Sequence, residues 1–211
     1  MDTIATLIDR LSDQKRIVVR QPHNLSWGNK DYCEGLFCEV FRLVDQSIHR
    51  YQHLPEYTEI IDWMTSTAGH GLLLYGDCGR GKSIILTGVV PVLLALQSFH
   101  SQPIHADDFQ KPYDFAATTA GYDPKMSNLD YLTRSACPII DELGVEPLIN
   151  DYGEKYEGFN RIVNAAERYL RPLFISTNLT EEQLLQRYGE RTFDRLTRLC
   201  RVVEFRGESL R

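Results

Sequence analysis

Eight consecutive residues, 76–83, have the types and spacing needed to hold a polyphosphate. They read GDCGRGKS, a G-x-x-x-x-G-K-S pattern between apolar stretches at 72–75 and 84–96. Glycines let the backbone curl so that successive N–H groups point inward, and the N-terminus of a following helix adds positive potential. A glycine-rich turn before a buried helix is the alternative, but the strand-loop-helix context favours nucleotide binding. The predicted phosphate loop consists of Gly76, Asp77, Cys78, Gly79, Arg80, Gly81, Lys82 and Ser83.

Within this loop, two residues have specific predicted roles. The Lys82 ammonium is expected to neutralise the β and γ phosphates of a nucleotide. The Ser83 hydroxyl is expected to be a ligand of Mg²⁺. The sequence therefore predicts a nucleoside triphosphate and a magnesium ion at the same site.

An acidic pair, Asp141 and Glu142, follows the apolar residues 138–140. Ligands of open parallel sheets bind beyond the carboxyl ends of the strands, where this pair is expected. Asp141 is predicted to hold the magnesium shell, and Glu142 to orient a water for in-line attack on the γ-phosphate. A solvated turn gives the same local pattern, but the phosphate loop upstream favours the catalytic interpretation. We expect the strand before this pair to lie beside the strand before the loop.

A third polar strand end is predicted at Thr177 and Asn178, after the apolar residues 172–175. The Asn178 amide is suited to hydrogen-bond both the attacking water and the γ-phosphate. A strand-ending asparagine also commonly forms a turn or caps a helix. Its position after a third buried strand favours the catalytic interpretation.

Strands that alternate with helices predict a mostly parallel sheet covered on both faces. The expected fold is an α/β P-loop NTPase with three αβα layers, preceded by N-terminal helices. Residues 1–54 are predicted to form a helical extension, which either docks a partner or covers the main domain, and residues 55–211 the ATPase domain. The predicted helices lie at 1–16, 34–51, 57–67, 84–96, 156–170, 180–188 and 191–199, and the predicted strands at 72–75, 104–106, 138–140, 172–178 and 201–205.

Composition excludes some classes of protein. The 211 residues carry 23 Lys and Arg against 29 Asp and Glu, and the net charge of −6 argues against coating nucleic acid by bulk electrostatics. The five cysteines are scattered and odd in number, which suits a reducing compartment rather than a disulfide framework. No signal peptide is evident, and the apolar stretch at 84–96 is too short to span a bilayer. We therefore expect a cytoplasmic protein with no membrane partner.

The order of these motifs resembles the AAA+ ATPases, and within them the DnaC/IstB-like group of bacterial helicase loaders and transposition helper ATPases. The resemblance covers approximately residues 55–211. It is carried by GDCGRGKS at 76–83, PIIDELG at 138–144, FISTNLT at 174–180, YGERTFDRL at 188–196 and FRGESLR at 205–211.

This resemblance implies an ATP-dependent assembly that acts in DNA replication with a replicative helicase, and the preference for adenine comes from it alone. It implies that Arg195 is an arginine finger, which reaches the γ-phosphate of a neighbouring subunit, and that Arg211 is a sensor-2 arginine. A trans arginine makes hydrolysis slow until subunits associate. Alternatively, Arg195 is a surface residue paired with Glu190 or Asp194, and Arg191 is the rival candidate for the finger.

Three alternatives to a helicase loader remain open from the sequence. The first is an IstB-like transposition helper ATPase of the same group. The second is a small P-loop kinase, which the acidic pair disfavours because Glu142 is suited to activate water. The third is a binding module that uses ATP only as a conformational signal. Single-stranded DNA is a candidate partner because residues 109–134 interleave aromatic and basic residues, although packing on the core is favoured for this stretch.

Overall fold

The computed structural model describes residues 3–14, 24–46, 51–114, 126–151 and 153–210. Its centre is a five-stranded sheet in which every neighbouring pair of strands is parallel. The strands are β1 (Gly71–Gly76), β2 (Pro103–His105), β3 (Ile139–Leu143), β6 (Phe174–Thr177) and β7 (Cys200–Phe205). The mostly parallel α/β fold predicted from the sequence is confirmed.

The lateral order of the strands is β2-β3-β6-β1-β7. Strand β6 therefore lies between β1 and β3, and the expectation that the strand of the acidic pair lies beside β1 is wrong. The reason is pairing: Phe174 of β6 is in register with Leu72 on one side and with Ile139 on the other. The carboxyl ends of β1, β6 and β3 consequently stand next to one another at one edge of the sheet.

Both faces of the sheet are buried, as continuous apolar strands predict. Successive side chains point to opposite faces, so Leu72 and Leu74 belong to one hydrophobic cluster and Leu73 to the other. The first cluster also contains side chains of α2 (Lys30–Val44), α3 (Pro55–Thr65) and α5 (Val90–Leu96). The second contains side chains of α6 (Asn128–Arg134), α7 (Gly158–Tyr169), α8 (Glu181–Tyr188) and α9 (Glu190–Leu199). This is the predicted arrangement of three αβα layers.

The helix after the phosphate loop is not regular along its length. It begins as α4 (Lys82–Ile84), widens into a π-helical segment over Ile85–Val89, and continues as α5. Within the wide segment, the Val90 N–H donates to the carbonyl of Ile85, five residues back. Pro91 has no N–H to continue the normal α-helical ladder, which accounts for the irregularity at this position.

Residues 24–46 pack into the core of the main domain. The indole Nε1 of Trp27 donates to the Leu93 carbonyl at 2.8 Å, and Gln97 Nε2 donates to the Ser26 carbonyl at 3.0 Å. This segment thereby satisfies polar groups at the end of α5. The predicted boundary at residues 54 and 55 stays a prediction.

The N-terminal helices differ from their predicted bounds. Helix α1 spans Ile4–Asp13, and its side chains Ile4, Leu7 and Ile8 are exposed. The helix predicted over 34–51 begins earlier and ends at Val44, because Asp45 has a non-helical backbone with φ −106° and ψ 89°. Within the described ranges, every helix is too short or too polar to cross a bilayer.

A small hairpin was not predicted from the sequence. Strands β4 (Ile149–Asp151) and β5 (Glu154–Tyr156) pair in antiparallel register after β3. The helix predicted to start at Tyr156 therefore begins at Gly158 as α7, because Tyr156 is paired with Ile149. Each of these strands has only three residues, which is too short to show a clear period of apolar and aromatic residues. The sequence pattern therefore could not indicate them.

Candidate active site

The phosphate loop has the curled backbone that its glycines predict. Gly76, Gly79 and Gly81 have φ values of +109°, +75° and +92°, a region that side chains with a Cβ rarely adopt. A Cβ on Gly76 would lie 2.3 Å from the Phe205 carbonyl oxygen of the neighbouring strand β7. Glycine is thus required both for the curl and for the close approach of β7.

Lys82 stands at the start of α4, and its side chain is buried beneath the loop. Its Nζ donates to the carbonyls of Gly76 at 2.8 Å and Asp77 at 2.6 Å. Burial lowers the pKa of Lys82, while Cys78 and the nearby acidic residues oppose this shift. The ammonium is therefore held inside the loop, where anionic oxygens of a phosphate would replace the two carbonyl partners.

The Arg80 side chain points away from the loop interior and fastens the loop to the rest of the domain. Its Nε and Nη2 lie 2.7 Å and 2.5 Å from Glu56 Oε1 at the start of α3, and both residues are buried. Its Nη1 donates to the Glu208 carbonyl at 3.2 Å. The Arg80 guanidinium is thus a structural anchor of the loop.

The C-terminal segment 205–210 runs along the outside of the same loop. Asp77 N donates to the Phe205 carbonyl at 2.8 Å, and the Gly207 N–H donates to the Asp77 carboxylate at 2.8 Å. Leu210 N donates to the Gly79 carbonyl at 3.0 Å. The loop is therefore braced from outside, which leaves its inner surface for a ligand. Arg211 lies outside the described residues.

The acidic pair lies in an irregularity of β3. Ile140 pairs with Ile175 and Leu143 with Thr177, so two residues of β3 stand opposite one residue of β6. Such a bulge redirects side chains at the end of a strand. Glu142 has φ +55°, and its N–H donates to Ser176 Oγ at 3.0 Å. The same Ser176 hydroxyl donates to the Asp141 carboxylate, so one residue of β6 holds both members of the pair.

His105, at the carboxyl end of β2, contacts the Glu142 carboxylate. Its Nε2 lies 3.1 Å from Glu142 Oε2, and its Nδ1 accepts from the Asp107 N–H at 3.3 Å. Since Nδ1 acts as an acceptor, this network assigns the imidazole proton to Nε2, which then donates to the carboxylate. Glu142 is thus oriented from β2 as well as from β6.

The three strand ends converge on a single cavity of about 150 Å³. Its lining includes Lys82 and Ser83 of the loop, Glu142 after β3, and Asn178 after β6. Asp141 is not part of the lining. It accepts a hydrogen bond from Ser176, and Ser176 does line the cavity. The structure thereby brings the loop, Glu142 and Asn178 to one cavity, although their strands are far apart in the chain.

Two residues near the loop carry oxygen atoms of the kind that binds magnesium. Mg²⁺ is held by oxygen ligands, usually one or two carboxylates together with substrate phosphates and water. Ser83 lines the cavity, and the Asp141 Oδ1 accepts a hydrogen bond from the Ser176 hydroxyl. Both groups are hard oxygen donors, as the sequence-based prediction of Ser83 and Asp141 requires.

Arg195 does not share this cavity with the phosphate loop of its own chain. It lies on α9 and contacts two side chains of α7, with Nε at 2.7 Å from Glu167 and Nη1 donating to Asn164. Its partners are therefore not Glu190 or Asp194, the pairing that the surface alternative predicted. Arg191 is exposed on the same helix and lines the same surface cavity as Arg195.

The described part of the aromatic and basic stretch at 109–134 contributes to the core. Phe109 and Tyr113 are buried, and the Tyr113 ring stacks on Tyr131 with centroids 4.0 Å apart. Lys111 pairs with Asp108 at 2.5 Å. Packing, the interpretation favoured from the sequence, describes Phe109 and Tyr113, whereas Lys111 forms a surface ion pair and residues 115–125 lie outside the described ranges.

Sequence reasoning missed three residues of this site. Ser176 and His105 stand at the carboxyl ends of strands, so the rule that singled out Asn178 also applies to them. Glu56 gave no signal, because its partner Arg80 is 24 residues away and the pair is formed only by the fold.

Solved structures share this architecture. The DnaC helicase loader is 15% identical over 79% of this chain and 98% of its own, with a TM-score of 0.57. The chain has a DnaC-like AAA+ fold. A candidate primosome component from Streptococcus pyogenes serotype M3 is 20% identical over 84% of this chain and 99% of its own, with a TM-score of 0.56. No protein-family model and no curated protein matches the sequence.

The AAA+ fold accounts for the place of the cavity in this molecule. Its parallel sheet puts the carboxyl ends of β1, β6 and β3 at one edge, which is where ligands of such sheets bind. The resemblance inferred from short motifs is therefore confirmed at the level of the fold. Identities of 15% and 20% explain why the motifs, rather than the whole sequence, carried it.

Proposed function

We propose that this chain is an ATPase of the helicase-loader type. It binds ATP and Mg²⁺ at the phosphate loop, hydrolyses ATP slowly until copies associate, and acts in DNA replication with a replicative helicase and single-stranded DNA. The main support is the convergence of Lys82, Glu142 and Asn178 on one cavity. The likeness in fold to the DnaC helicase loader adds the replication context.

In this proposal the chain contributes binding and orientation around the phosphates. The N–H groups of the loop and the Lys82 ammonium bind the β and γ phosphates, while Ser83 and Asp141 hold Mg²⁺. The bound ion neutralises charge on the phosphate oxygens. Glu142 orients the attacking water and accepts its proton, and Asn178 hydrogen-bonds the water and the γ-phosphate. His105 and Ser176 keep the Glu142 carboxylate in place.

Arg195 has its proposed role in a neighbouring copy. An arginine donated in trans stabilises the charge on the transferred phosphoryl group and makes turnover depend on assembly. The position of Arg195 on α9, in a cavity that shares no lining residue with the phosphate cavity, supports a role outside its own site. Cytoplasmic location and self-association through the nucleotide interface belong to the same proposal.

Phosphate release is the test of the chemistry. Lys82→Ala should abolish binding of a fluorescent ATP analogue, whereas Glu142→Gln should bind it normally and lose turnover by about 100-fold or more. Glu154→Gln, at an exposed site on the hairpin, is the control and should behave as the wild type. Transfer of phosphate to a small acceptor without release of free phosphate would show that the protein is a kinase rather than an ATPase.

The partner is tested with the hydrolysis-deficient protein. Glu142→Gln with ATP should retain its complex during a pull-down from host lysate, and recovery of a hexameric helicase is the expected result. Recovery of a transposase would favour a transposition helper. Partner binding that is equal with and without hydrolysis, together with negligible turnover of the assembled wild type, would favour a nucleotide-gated binding module.

A further inference from the structure

Helices α7 and α9 face each other through a ladder of polar contacts. Thr192 Oγ1 donates to Asn160 at 3.0 Å, and one turn further the Arg195 Nη1 donates to Asn164. The next rung is Glu167, which pairs with Arg195 Nε at 2.7 Å. Residues three and four apart lie on the same face of a helix, so all three α7 side chains belong to one stripe.

Asn164 and Glu167 both contact the Arg195 guanidinium. The two contacts use Nε and Nη1, and neither uses Nη2. A guanidinium carries more N–H groups than these contacts engage, so donors remain for an anion. The Arg195 side chain is only 16% exposed, which means that its orientation is set by α7 rather than by solvent.

Glu167 has a second contact with α9. Its Oε1 accepts from Arg198 Nη2 at 3.1 Å, and Arg198 is in turn paired with Asp194 at 2.9 Å. Both carboxylate oxygens of Glu167 are therefore engaged by arginines of α9, and the shorter contact is with Arg195. Glu167 and Arg195 line an open cavity of about 690 Å³, whose lining also includes Arg168, Arg191 and Arg198. The excess of positive charge in this cavity favours an anionic ligand.

We propose that Asn164 and Glu167 are positioning residues that hold the Arg195 guanidinium ready for the nucleotide phosphate of a neighbouring copy. This inference rests on the proposed function, in which Arg195 acts in trans. A free arginine side chain would have to be ordered during each turnover, whereas a held one is already oriented. Preorganised donors need no rearrangement when charge develops on the phosphoryl group.

A double-mutant cycle tests the inference in the assembled full-length protein. Arg195→Ala should reduce kcat by about 1,000-fold or more, the loss seen when an arginine finger is removed. Glu167→Gln keeps the size of the side chain and should reduce kcat by about 10-fold to 100-fold, with the KM for ATP unchanged. Because Glu167 acts through Arg195, the double variant should be no slower than Arg195→Ala alone.

Asn164 provides the second arm of the test. Asn164→Ala should reduce kcat as Glu167→Gln does, and Asn164→Asp, which keeps an oxygen acceptor for Nη1, should restore most of the rate. Thr192→Val is the control for the packing of the two helices. It removes the rung that does not touch Arg195, and it should lower the urea midpoint of unfolding while kcat stays at the wild-type value.

Three results would overturn the positioning role. The first is a double variant whose loss equals the product of the single losses, and the second is a Thr192→Val variant that loses as much kcat as Glu167→Gln. The third is an unchanged kcat in Glu167→Gln beside a large loss in Arg195→Ala, which would leave the trans arginine intact. If Arg195→Ala has no effect while Glu142→Gln abolishes turnover, the trans arginine itself fails. A wild type without turnover in any assembly refutes the proposed function.

Discussion

The buried ion pair between Glu56 and Arg80 should be among the most sensitive points of the molecule. The two residues are 5% and 8% exposed, and Glu56 Oε1 is 2.7 Å from Nε and 2.5 Å from Nη2 of Arg80. In Glu56→Ala, the buried guanidinium keeps only the Glu208 carbonyl among these acceptors, at 3.2 Å. Removal of one partner of a buried pair costs about 3–5 kcal/mol, because the remaining charge is left uncompensated.

Urea unfolding followed by circular dichroism measures this cost. With a slope of about 2 kcal/mol per molar urea, Glu56→Ala should lower the midpoint by about 1.5–2.5 M. Glu56→Ala combined with Arg80→Ala should lose less than Glu56→Ala alone, since no unpaired charge remains. Asp62→Ala is the matched control on the same helix, because it breaks an exposed pair with Lys30 and should leave the midpoint nearly unchanged.

The same variant should also weaken nucleotide binding. Arg80 belongs to the phosphate loop, so a guanidinium that loses its anchor is expected to displace the loop from its folded position. Titration of a fluorescent ATP analogue at low urea should therefore give a higher Kd for Glu56→Ala than for Asp62→Ala. A midpoint shift as small as that of the exposed pair would refute the reasoning that this ion pair is desolvated and essential to the loop.

Three further predictions follow from individual side chains. Gly79→Ala should reduce nucleotide affinity, because φ at this position is +75° and the new Cβ would lie 2.1 Å from Ser209 Oγ. The control is Gly35→Ala in α2, whose new Cβ meets no atom within 4 Å and which should bind nucleotide normally. Equal affinities of the two variants in a fluorescence titration would contradict this prediction. A thiol reagent should modify the exposed Cys78 before the buried Cys137, because burial raises the pKa of the Cys137 thiol to about 12. ATP should slow the reaction at Cys78, and mass spectrometry of labelled peptides measures both rates. A rate at Cys78 that does not depend on ATP would show that the nucleotide binds elsewhere. Burial raises the pKa of the Asp130 carboxyl, but hydrogen bonds from Ser127 and the Arg161 charge outweigh it and lower the pKa below 3.8. The resulting stabilisation is present above the unfolded pKa and lost as pH falls through the folded pKa. The urea midpoint of Asp130→Asn should therefore fall less steeply than that of the wild type as pH is lowered from about 5 to 3. Parallel curves of midpoint against pH for the two proteins would contradict this prediction.

Much of the site was predictable because its signals are local in the chain. The phosphate loop is one continuous segment, and its glycines are required by the backbone angles of that segment. Asp141, Glu142 and Asn178 were singled out because each follows an apolar run, and parallel strands end at a common edge. These inferences need only the residue types and their order, which the sequence contains.

The lateral arrangement of the elements was less accessible. The order β2-β3-β6-β1-β7 depends on which strands pair, and the parallel pairs join segments far apart in the chain. The bulge at Asp141 and Glu142 exists only because β3 must pair with β6 around it. The bounds of α2 and the hairpin of β4 and β5 were missed because short or mixed patterns do not fix where an element ends.

The sequence by itself determined that this protein has a phosphate loop, an acidic pair and a strand-ending asparagine, since each is a short run of residues whose backbone and chemistry are set locally. The tertiary structure decided that Arg80 is an anchor for Glu56, that His105 and Ser176 hold Glu142, and that Asn164 and Glu167 hold Arg195. These contacts join residues 24 to 37 positions apart. Their geometry arises from the packing of separate strands and helices, which no local pattern specifies.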